Sequence, residues 1–261
     1  MVTLIDNQSL CDYFDNNSIN SQPNQSNLNE LIAKTQIALY NPLMYSCGGK
    51  RVFMQDYENS LVPYPTCKYC SPSFYDLETM REYEERKETE LAYVEEKITH
   101  SVVNATQYCA SLPFKMYATQ HPSYRQLPLK MIGLQANFAG RAISPFETLK
   151  SLQILKARPS YLKFLDYIPS GIKSVLVSEA SEKSVAMLHH STNIGAILFS
   201  TVLEPFRKMY AKRAFVHWFV GEGPDSGIFG SVDNACASIL QSYSELEVEN
   251  QSFDEEEGGQ E

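Results

Sequence analysis

The sequence of 261 residues predicts an α+β fold, in which a small mixed sheet with flanking helices is followed by a C-terminal helical hairpin and an acidic tail. Three observations predict this class. Apolar and polar residues alternate along one segment near the middle of the chain, and apolar residues recur every three or four positions over the last third. Hydrophobic residues make up 43% of the chain, which is typical of a globular protein and excludes a disordered or fibrous one.

The N-terminal part predicts two helices separated by a turn. A polar stretch from Asn16 to Asn27, which contains Pro23, separates two groups of apolar residues with helical spacing. We expect a short helix from Arg51 to Tyr57 and an extended segment from Leu61 to Pro65, because a proline disfavours helix in the residue before it. The two apolar groups are Leu4, Leu10 and Phe14, and Leu28, Leu31, Ile32, Ile37 and Leu39.

The middle of the chain predicts the sheet. An amphipathic helix with a charged first part is expected from Glu78 to Cys109, and a long loop from Leu112 to Pro128. A serine N-cap, a proline at the first helical position and a glutamate three residues after the serine predict a helix that begins at Ser144. Strands are predicted at Leu129 to Phe138, Leu162 to Tyr167 and Ile172 to Val177.

The last third of the chain predicts only helices. One is expected from Glu182 to Leu203 and a second from Met209 to Val220. A third is expected where apolar residues form a stripe at helical spacing, namely Val232, Ala235, Cys236, Ile239, Leu240, Tyr243 and Leu246.

The charge is concentrated at the C-terminus. The chain has 22 basic and 31 acidic residues, and eight of the acids lie between Ser244 and Glu261. No segment has a basic excess, so nucleic acid is a poor candidate for a partner. The N-terminus does not resemble a secretory signal, and no apolar run is long enough for a membrane span. We therefore expect a cytosolic protein with reduced cysteines and no contact with a membrane.

Local motifs give little support for catalysis or metal binding. Cys67 and Cys70 have the spacing of half a zinc or redox site, but no second pair follows, which favours two thiols in the core or on the surface. His189 and His190, on the helix predicted there, would point about 100° apart and could not share a metal. One is expected to be packed and the other exposed to solvent, and His217 is expected to lie in a core.

No phosphate-binding loop is evident in the sequence. The segment Gly48-Gly49-Lys50-Arg51 lacks the spacing and the hydroxyl residue of a phosphate loop. The segment Gly221-Glu222-Gly223 lacks a preceding strand. We expect both to be turns.

One stretch closely resembles a known family. Met209 to Gly223, which reads MYAKRAFVHWFVGEG, is similar to the segment that enters the C-terminal helices of α-tubulin. Further similar segments stand in the same order as in the family, and the resemblance covers residues 1 to about 243 but only the later part of a tubulin. They are Ile5 to Asn7 (family VDN), Ser26 to Asn29 (family TNLN), Leu61 to Pro65 (LVPYP) and Phe164 to Lys173 (family FVDWCPTGFK).

The resemblance implies a division of the chain into four parts. Residues 1 to 46 would be the remnant of the nucleotide domain with its core helix, and residues 47 to 179 an intermediate α/β domain. Residues 180 to 246 would be the C-terminal helical domain, and residues 247 to 261 a disordered acidic tail.

The resemblance also implies site residues. Asn7 and Asn29 match the family residues that contact guanine, and Gln25 stands where the family stacks a tyrosine on the base. Asp56 takes the place of the glutamate with which α-tubulin assists GTP hydrolysis in the next β subunit, and Phe53 replaces a nearby aspartate. The glycine-rich phosphate loop belongs to the part of the family that this chain does not match. We therefore expect no GTP binding and no GTPase activity from this chain alone, and no metal site.

Three functions are compatible with these features. The first is a divergent, N-terminally truncated α-tubulin-like constituent of the microtubule cytoskeleton in the cytoplasm, or a tubulin-binding protein. Its partners would be a β-tubulin-like subunit and possible motors, microtubule-associated proteins or tubulin chaperones. The second is a component that completes a GTPase site through Asp56. The third is a fragment of a full-length GTP-binding tubulin, in which Leu4, Leu10 and Phe14 would be exposed.

Overall fold

A computed structural model gives the fold of most of the chain. The structure describes residues 1–5, 10–11, 13–14, 23–77, 102–110, 130–141, 143–157, 163–165, 171–180, 183–197 and 202–248. The first part of the predicted helix at 78–109, the predicted loop at 112–128 and residues 249–261 of the predicted acidic tail lie outside these residues, whereas residues 247 and 248 are helical. No helix in the described ranges has the length and apolar character to span a bilayer.

Six strands form one mixed sheet in the order β1-β2-β6-β3-β4, with β5 also paired to β3. Strand β6 is antiparallel to both of its neighbours, β2 and β3, whereas β1 pairs parallel to β2, and β4 and β5 pair parallel to β3. The strands are β1 Val2–Thr3, β2 Tyr69–Asp76, β3 Lys130–Ala139, β4 Lys163–Phe164, β5 Ile172–Val177 and β6 Ser184–Ser191.

Helices flank this sheet and fill the C-terminal part, which confirms the predicted α+β class. Residues 102 to 110 are also helical. The predicted capping box is confirmed: the hydroxyl of Ser144 accepts from the N–H of Phe146 at 3.2 Å, and Glu147 accepts from the N–H of Ser144 at 3.3 Å. The helices are α1 Gln25–Met44, α2 Met54–Leu61, α3 Pro145–Lys156, α4 Ile194–Ile197, α5 Glu204–Ala211, α6 Val216–Gly221 and α7 Ile228–Val248.

The helix predicted at 182–203 is wrong over its first half, where the chain forms strand β6. All eight residues of β6 are buried between β2 and β3. A strand that is covered on both faces has no apolar and polar alternation, so its sequence cannot be distinguished from a buried helix by period alone.

Strand β2 was not predicted, and it contains a proline. Pro72 lies in the strand, and proline disfavours the interior of a sheet. Here Pro72 pairs with Leu188 on one side, while on the other side β1 reaches only Tyr69 and Cys70. Proline is therefore tolerated, because this stretch of β2 has no partner strand on that side and its missing N–H costs no hydrogen bond of the sheet.

The helix predicted at 209–220 is divided into α5 and α6 by a turn. Arg213 and Phe215 in this turn have φ angles of 50° and 61°, in the left-handed region that side chains with a Cβ rarely adopt. These two residues, one on either side of Ala214, interrupt a helix that the apolar pattern alone would continue.

The two faces of the sheet are covered by different helices. Leu134 pairs with His189 and Gly133 with His190, so each pair shares one face of the sheet. The face of His189 lies against helical residues 102 to 110, where the thiol of Cys109 is 3.5 Å from the carbonyl of Val185. The opposite face lies against α2, since His190 bonds the carbonyl of Leu61.

The N-terminal apolar residues are covered, contrary to the expectation for a fragment. Leu10 and Phe14 are 7% and 8% exposed, and the ring of Tyr13 lies 6.3 Å from that of Phe74 on β2. Only Leu4 is partly exposed. On the second helix, α1, the predicted apolar face is buried at Leu28, Leu31 and Leu39, whereas Ile32 is partly exposed and Ile37 is 57% exposed.

Candidate functional site

Asp56 lies in the first turn of α2 and acts as part of its N-terminal cap. Its Oδ2 accepts a hydrogen bond of 2.8 Å from the N–H of Phe53. Its Oδ1 is 3.9 Å from Nζ of Lys173, and the same ammonium donates to the Asp56 carbonyl at 3.1 Å. The side chain is 43% exposed, so the carboxylate remains accessible from outside although one oxygen is engaged.

The residues expected at a guanine site lie at the start of α1. Asn29 is exposed and accepts a hydrogen bond of 3.2 Å from the side-chain amide of Gln25. Asn24 caps the same helix by accepting from the N–H of Asn27 at 2.9 Å. Asn7 lies outside the residues that the structure describes. Their assignment as nucleotide-binding residues stays a prediction.

The structure does not bring Asp56 and Asn29 together. The helix that carries Asp56 meets α1 at Leu39, whose carbonyl accepts from the hydroxyl of Tyr57 at 2.9 Å. Ten residues of α1 separate Leu39 from Asn29, which corresponds to about 15 Å along the helix axis. The two residues therefore do not share one site within this chain.

A cavity of about 220 Å³ lies between α1 and β2. Among its lining residues are Lys34 and Asp76, whose charged groups are 3.5 Å apart, and Glu30, which lies 3.4 Å from Lys34. Asp76 is 6% exposed. The cavity therefore has a charged wall, and its ion pair links α1 to the end of β2.

The two neighbouring histidines are both buried, so the prediction that one is solvated is wrong. Because they lie on a strand and not on a helix, they point to opposite faces of the sheet. His189 bonds Ser73 on β2 at 2.8 Å. Burial lowers the pKa of His189 to about 3 and that of His190 to about 4. Both rings are therefore neutral near pH 7.

The thiols and acids show no metal-binding arrangement within the described ranges. Cys67 and Cys70 are both buried, and burial raises the pKa of each, for Cys70 to about 12. A thiol with a raised pKa is a poor nucleophile and a poor metal ligand at neutral pH. The sequence favoured two thiols in the core or on the surface, and the structure places both in the core.

Seven large apolar side chains are exposed on α5 and α6, in the turn between them and at the start of α7. We call this set the C-terminal apolar surface. Its members are all between 43% and 64% exposed, and Trp218 is the most exposed of them. They are Met209, Phe215, Trp218, Phe219, Val220, Ile228 and Val232.

Aromatic contacts hold α5 and α6 to the start of α7, where the ring of Phe229 lies 5.7 Å from that of Phe219 on α6. Phe206 and Tyr210 on α5 stack with Phe229 on α7, with centroid distances of 6.5 and 5.5 Å. Arg207 also bonds Asp233 at 2.6 Å. The exposed rings therefore sit on an ordered scaffold. His217, predicted to be a core histidine, is instead exposed, with its ring 5.7 Å from that of Trp218.

Comparison with known proteins identifies the class that this chain resembles. It is similar in sequence to α-tubulins over nearly its whole length, which confirms the resemblance seen in the motifs. No protein-family model matches the chain.

Two relatives illustrate the coverage. The "Tubulin alpha-2 chain" of Eleusine indica is 27% identical over 259 residues, which are 98% of this chain and 55% of that protein. The "Tubulin alpha-1 chain" of Arabidopsis thaliana is 26% identical over 270 residues, or 99% of this chain and 55% of that protein. The chain thus spans about half the length of the curated relatives that it matches.

Proposed function

We propose that this protein is a divergent α-tubulin-like structural subunit that binds a β-tubulin-like partner through the C-terminal apolar surface. The observation that carries the proposal is the exposure of Trp218 and its neighbours within the stretch whose sequence most resembles α-tubulin. The proposal places the protein in the cytoskeleton of the cytoplasm. Motors, microtubule-associated proteins and tubulin chaperones are further candidate partners.

The size of this surface supports binding to a protein. Seven large side chains that are each about half exposed present on the order of 600 Å² of apolar area. That is at the upper end of the largest apolar patches on monomeric proteins, and it approaches the roughly 800 Å² that each partner buries in a standard interface. Left in water, such a surface favours association.

The charges around the surface indicate the kind of partner. Lys212 and Arg213 are exposed in the turn between α5 and α6, Glu222 and Asp225 are exposed between α6 and α7, and Lys208 is paired with Glu204 at 2.7 Å. A partner with an apolar patch bordered by carboxylates on the side of Lys212 and Arg213 and by basic groups on the side of Glu222 and Asp225 would therefore be favoured. The left-handed turn at 212–215 holds Phe215 outward, its ring 5.2 Å from that of Trp218.

The four parts implied by the resemblance, residues 1–46, 47–179, 180–246 and 247–261, are part of this proposal. We assign partner contact to the third part. The nucleotide roles of Asn7 and Asn29 and the catalytic role of Asp56 would require groups from a second chain. Asp56 is one methylene shorter than the family glutamate, and a misplacement of about 1 Å can cost a hundredfold in rate. We therefore assign Asp56 a contact role and propose no enzymatic activity for the chain alone.

A binding assay with matched variants tests the proposal. The protein is incubated with αβ-tubulin and with assembled microtubules, and complexes are measured by pull-down and co-sedimentation. Trp218→Ser and Phe219→Ser should weaken binding at least tenfold. Phe146→Ser is the control, because Phe146 is 73% exposed on a different helix, α3. Absence of the wild-type protein from both complexes, or equal weakening by the control, would contradict the proposal.

A further inference from the structure

The C-terminal helices are attached to the sheet mainly through the last part of α7. Neither α5 nor α6 has a buried residue. Ile228 and Val232, at the start of α7, are about half exposed. In contrast, Tyr243 and Leu246 are only 2% and 6% exposed, and they belong to an apolar cluster with Cys67, Ile132, Leu165 and Ile194. The position of the C-terminal apolar surface therefore depends on how firmly this part of α7 is held.

A chain of three hydrogen bonds holds it. The hydroxyl of Tyr243 lies 2.9 Å from Nε2 of His190 on β6 and accepts from the N–H of Tyr69 at 3.3 Å. Nδ1 of His190 bonds the carbonyl of Leu61. We call this set the Tyr243–His190 chain. It connects α7 to the central strand β6, to the start of β2 and to the end of α2.

The chemistry of the acceptors sets the direction of every bond. A carbonyl can only accept, so Nδ1 of His190 carries the proton that it donates to Leu61. Nε2 of a neutral ring is then an acceptor, and the hydroxyl of Tyr243 donates to it. The lowered pKa of His190 keeps the ring in this neutral form. All polar atoms in the Tyr243–His190 chain are thereby paired, and the carbonyl of Leu61, at the last residue of α2, gains a donor that a helix end lacks.

The fit of the tyrosine is close as well as polar. A Cβ added to Gly195 on α4 would lie 2.9 Å from Cβ of Tyr243. The contact is to an atom next to the backbone, which cannot turn away as the end of a flexible side chain could. Only glycine at this position lets α7 approach near enough for the hydroxyl to reach His190.

We infer that Tyr243 and His190 are positioning residues for the C-terminal apolar surface: their hydrogen-bond chain holds α7, and with it α5 and α6, in a fixed place on the sheet. The Tyr243–His190 chain ends at Leu61 on α2, and the first turn of that helix contains Asp56. The binding consequence rests on the proposed function, whereas the attachment of α7 does not. The Tyr243–His190 chain thus holds α5, α6 and α7 as one unit.

Hydrogen exchange of three proteins tests the attachment. Tyr243→Phe keeps the ring and removes only the hydroxyl. Tyr57→Phe is the matched control, because Tyr57 is equally buried and its hydroxyl bonds Leu39 and Asn137, on α1 and β3, away from α7. The amides of α7 are compared with those of β3.

The two variants should differ in one respect. Tyr243→Phe should reduce the protection of the α7 amides about tenfold or more, because the opening of α7 no longer breaks these bonds. Tyr57→Phe should reduce the protection of β3 and leave that of α7 unchanged. The inference is overturned if α7 keeps its protection in Tyr243→Phe, or if both variants reduce it equally, since α7 would then open only when the whole molecule unfolds.

A second variant changes Gly195, which packs against Tyr243. Gly195→Ala should also reduce the protection of α7 and, combined with Tyr243→Phe, should weaken binding to αβ-tubulin severalfold although Trp218 is unchanged. Normal affinity in the double variant would contradict the positioning role. If the wild-type protein binds no tubulin while the exchange results hold, the proposed function fails and the attachment of α7 stands.

Discussion

His189 and His190 are adjacent on strand β6 but make hydrogen bonds on opposite faces of the sheet. His189 bonds Ser73 inside the sheet, while His190 connects α2 and α7 on the opposite face. Both rings are neutral because burial disfavours the charged form, and their pKa values are lowered to about 3 and about 4. Such groups make the stability of the fold depend on pH.

The sign of this dependence follows from proton binding. In the unfolded chain a histidine titrates near pH 6.5, so between that pH and about 4 the unfolded state binds more protons than the native state. Stability should therefore be full above pH 7 and fall as the pH falls. At pH 5 each buried histidine should have lowered the free energy of unfolding by about 2 kcal/mol. Urea unfolding at pH 8, 6 and 5 measures this.

A variant separates the contribution of His190 from other titrating groups. His190→Asn removes the titration and keeps a polar side chain, so its stability should fall less steeply between pH 8 and pH 5 than that of the wild type. Identical slopes in the two proteins would show that His190 does not titrate as its burial requires.

Asp56 has a structural effect that is separate from any role in catalysis. Its carboxylate accepts from the N–H of Phe53, so Asp56→Ala leaves that donor unpaired at the start of α2. The loss should be about 0.5–1.5 kcal/mol, the usual net contribution of one hydrogen bond. Asp56→Asn keeps an acceptor oxygen and should cost less. Urea unfolding measures both, and an unchanged midpoint in Asp56→Ala would rule out the capping role.

At the scale of elements, sequence patterns were reliable where local chemistry decides the structure. The cap at Ser144, the strand Ile172–Val177 and the long helix α7 were all predicted from turn residues, capping residues or a long apolar period. Strand β6 was missed because burial on both faces removes its period. Its assignment depends on β2 and β3, which are distant in the chain, and single-sequence patterns contain no such information.

The approach of α2 to β3 gives a prediction at this scale. A Cβ on Gly133 would lie 2.7 Å from the carbonyl oxygen of Ser60. Gly133→Ala should therefore displace the end of α2 and lower stability by about 1–3 kcal/mol, as overpacking usually does. Gly230→Ala on α7 is the control, because nothing lies within 4 Å of its added Cβ.

Thermal unfolding distinguishes the two glycines. The control should be neutral or stabilising by about 0.5–1 kcal/mol, since alanine favours a helix over glycine. If Gly133→Ala were also neutral, the close contact between α2 and β3 would not exist in solution.

At the scale of the whole molecule, the chain buries its own N-terminal apolar residues and leaves the C-terminal ones exposed. Leu10, Phe14 and Leu31 are in the core although the chain spans about half the length of its relatives. Trp218 and Phe219 are more than half exposed. The apolar residues at the N-terminus of the given sequence are thus covered within the chain itself, whereas those on α5, α6 and the start of α7 are the ones that we propose contact a partner.

The candidate site was only partly accessible to sequence reasoning. The resemblance to α-tubulin indicated Asp56, Asn29 and the stretch at 209–223 by their order along the chain. The exposure of Trp218 and His217 could not be read from the sequence, because an aromatic helix is compatible with either a core or an interface. The Tyr243–His190 chain was missed for the same reason as β6, since its residues meet only through the sheet.

Trp218 offers the most direct test of the proposed binding surface, because it is the only tryptophan in the sequence and is 64% exposed. Protein labelled with 5-fluorotryptophan has one fluorine resonance, which can be followed while unlabelled αβ-tubulin is added. The resonance should move or broaden to saturation, and its sensitivity to exchange of H2O for D2O should fall as a partner covers the ring. A complex that forms while this resonance and its solvent sensitivity stay unchanged would contradict the assignment of the surface, and so would a failure to form any complex.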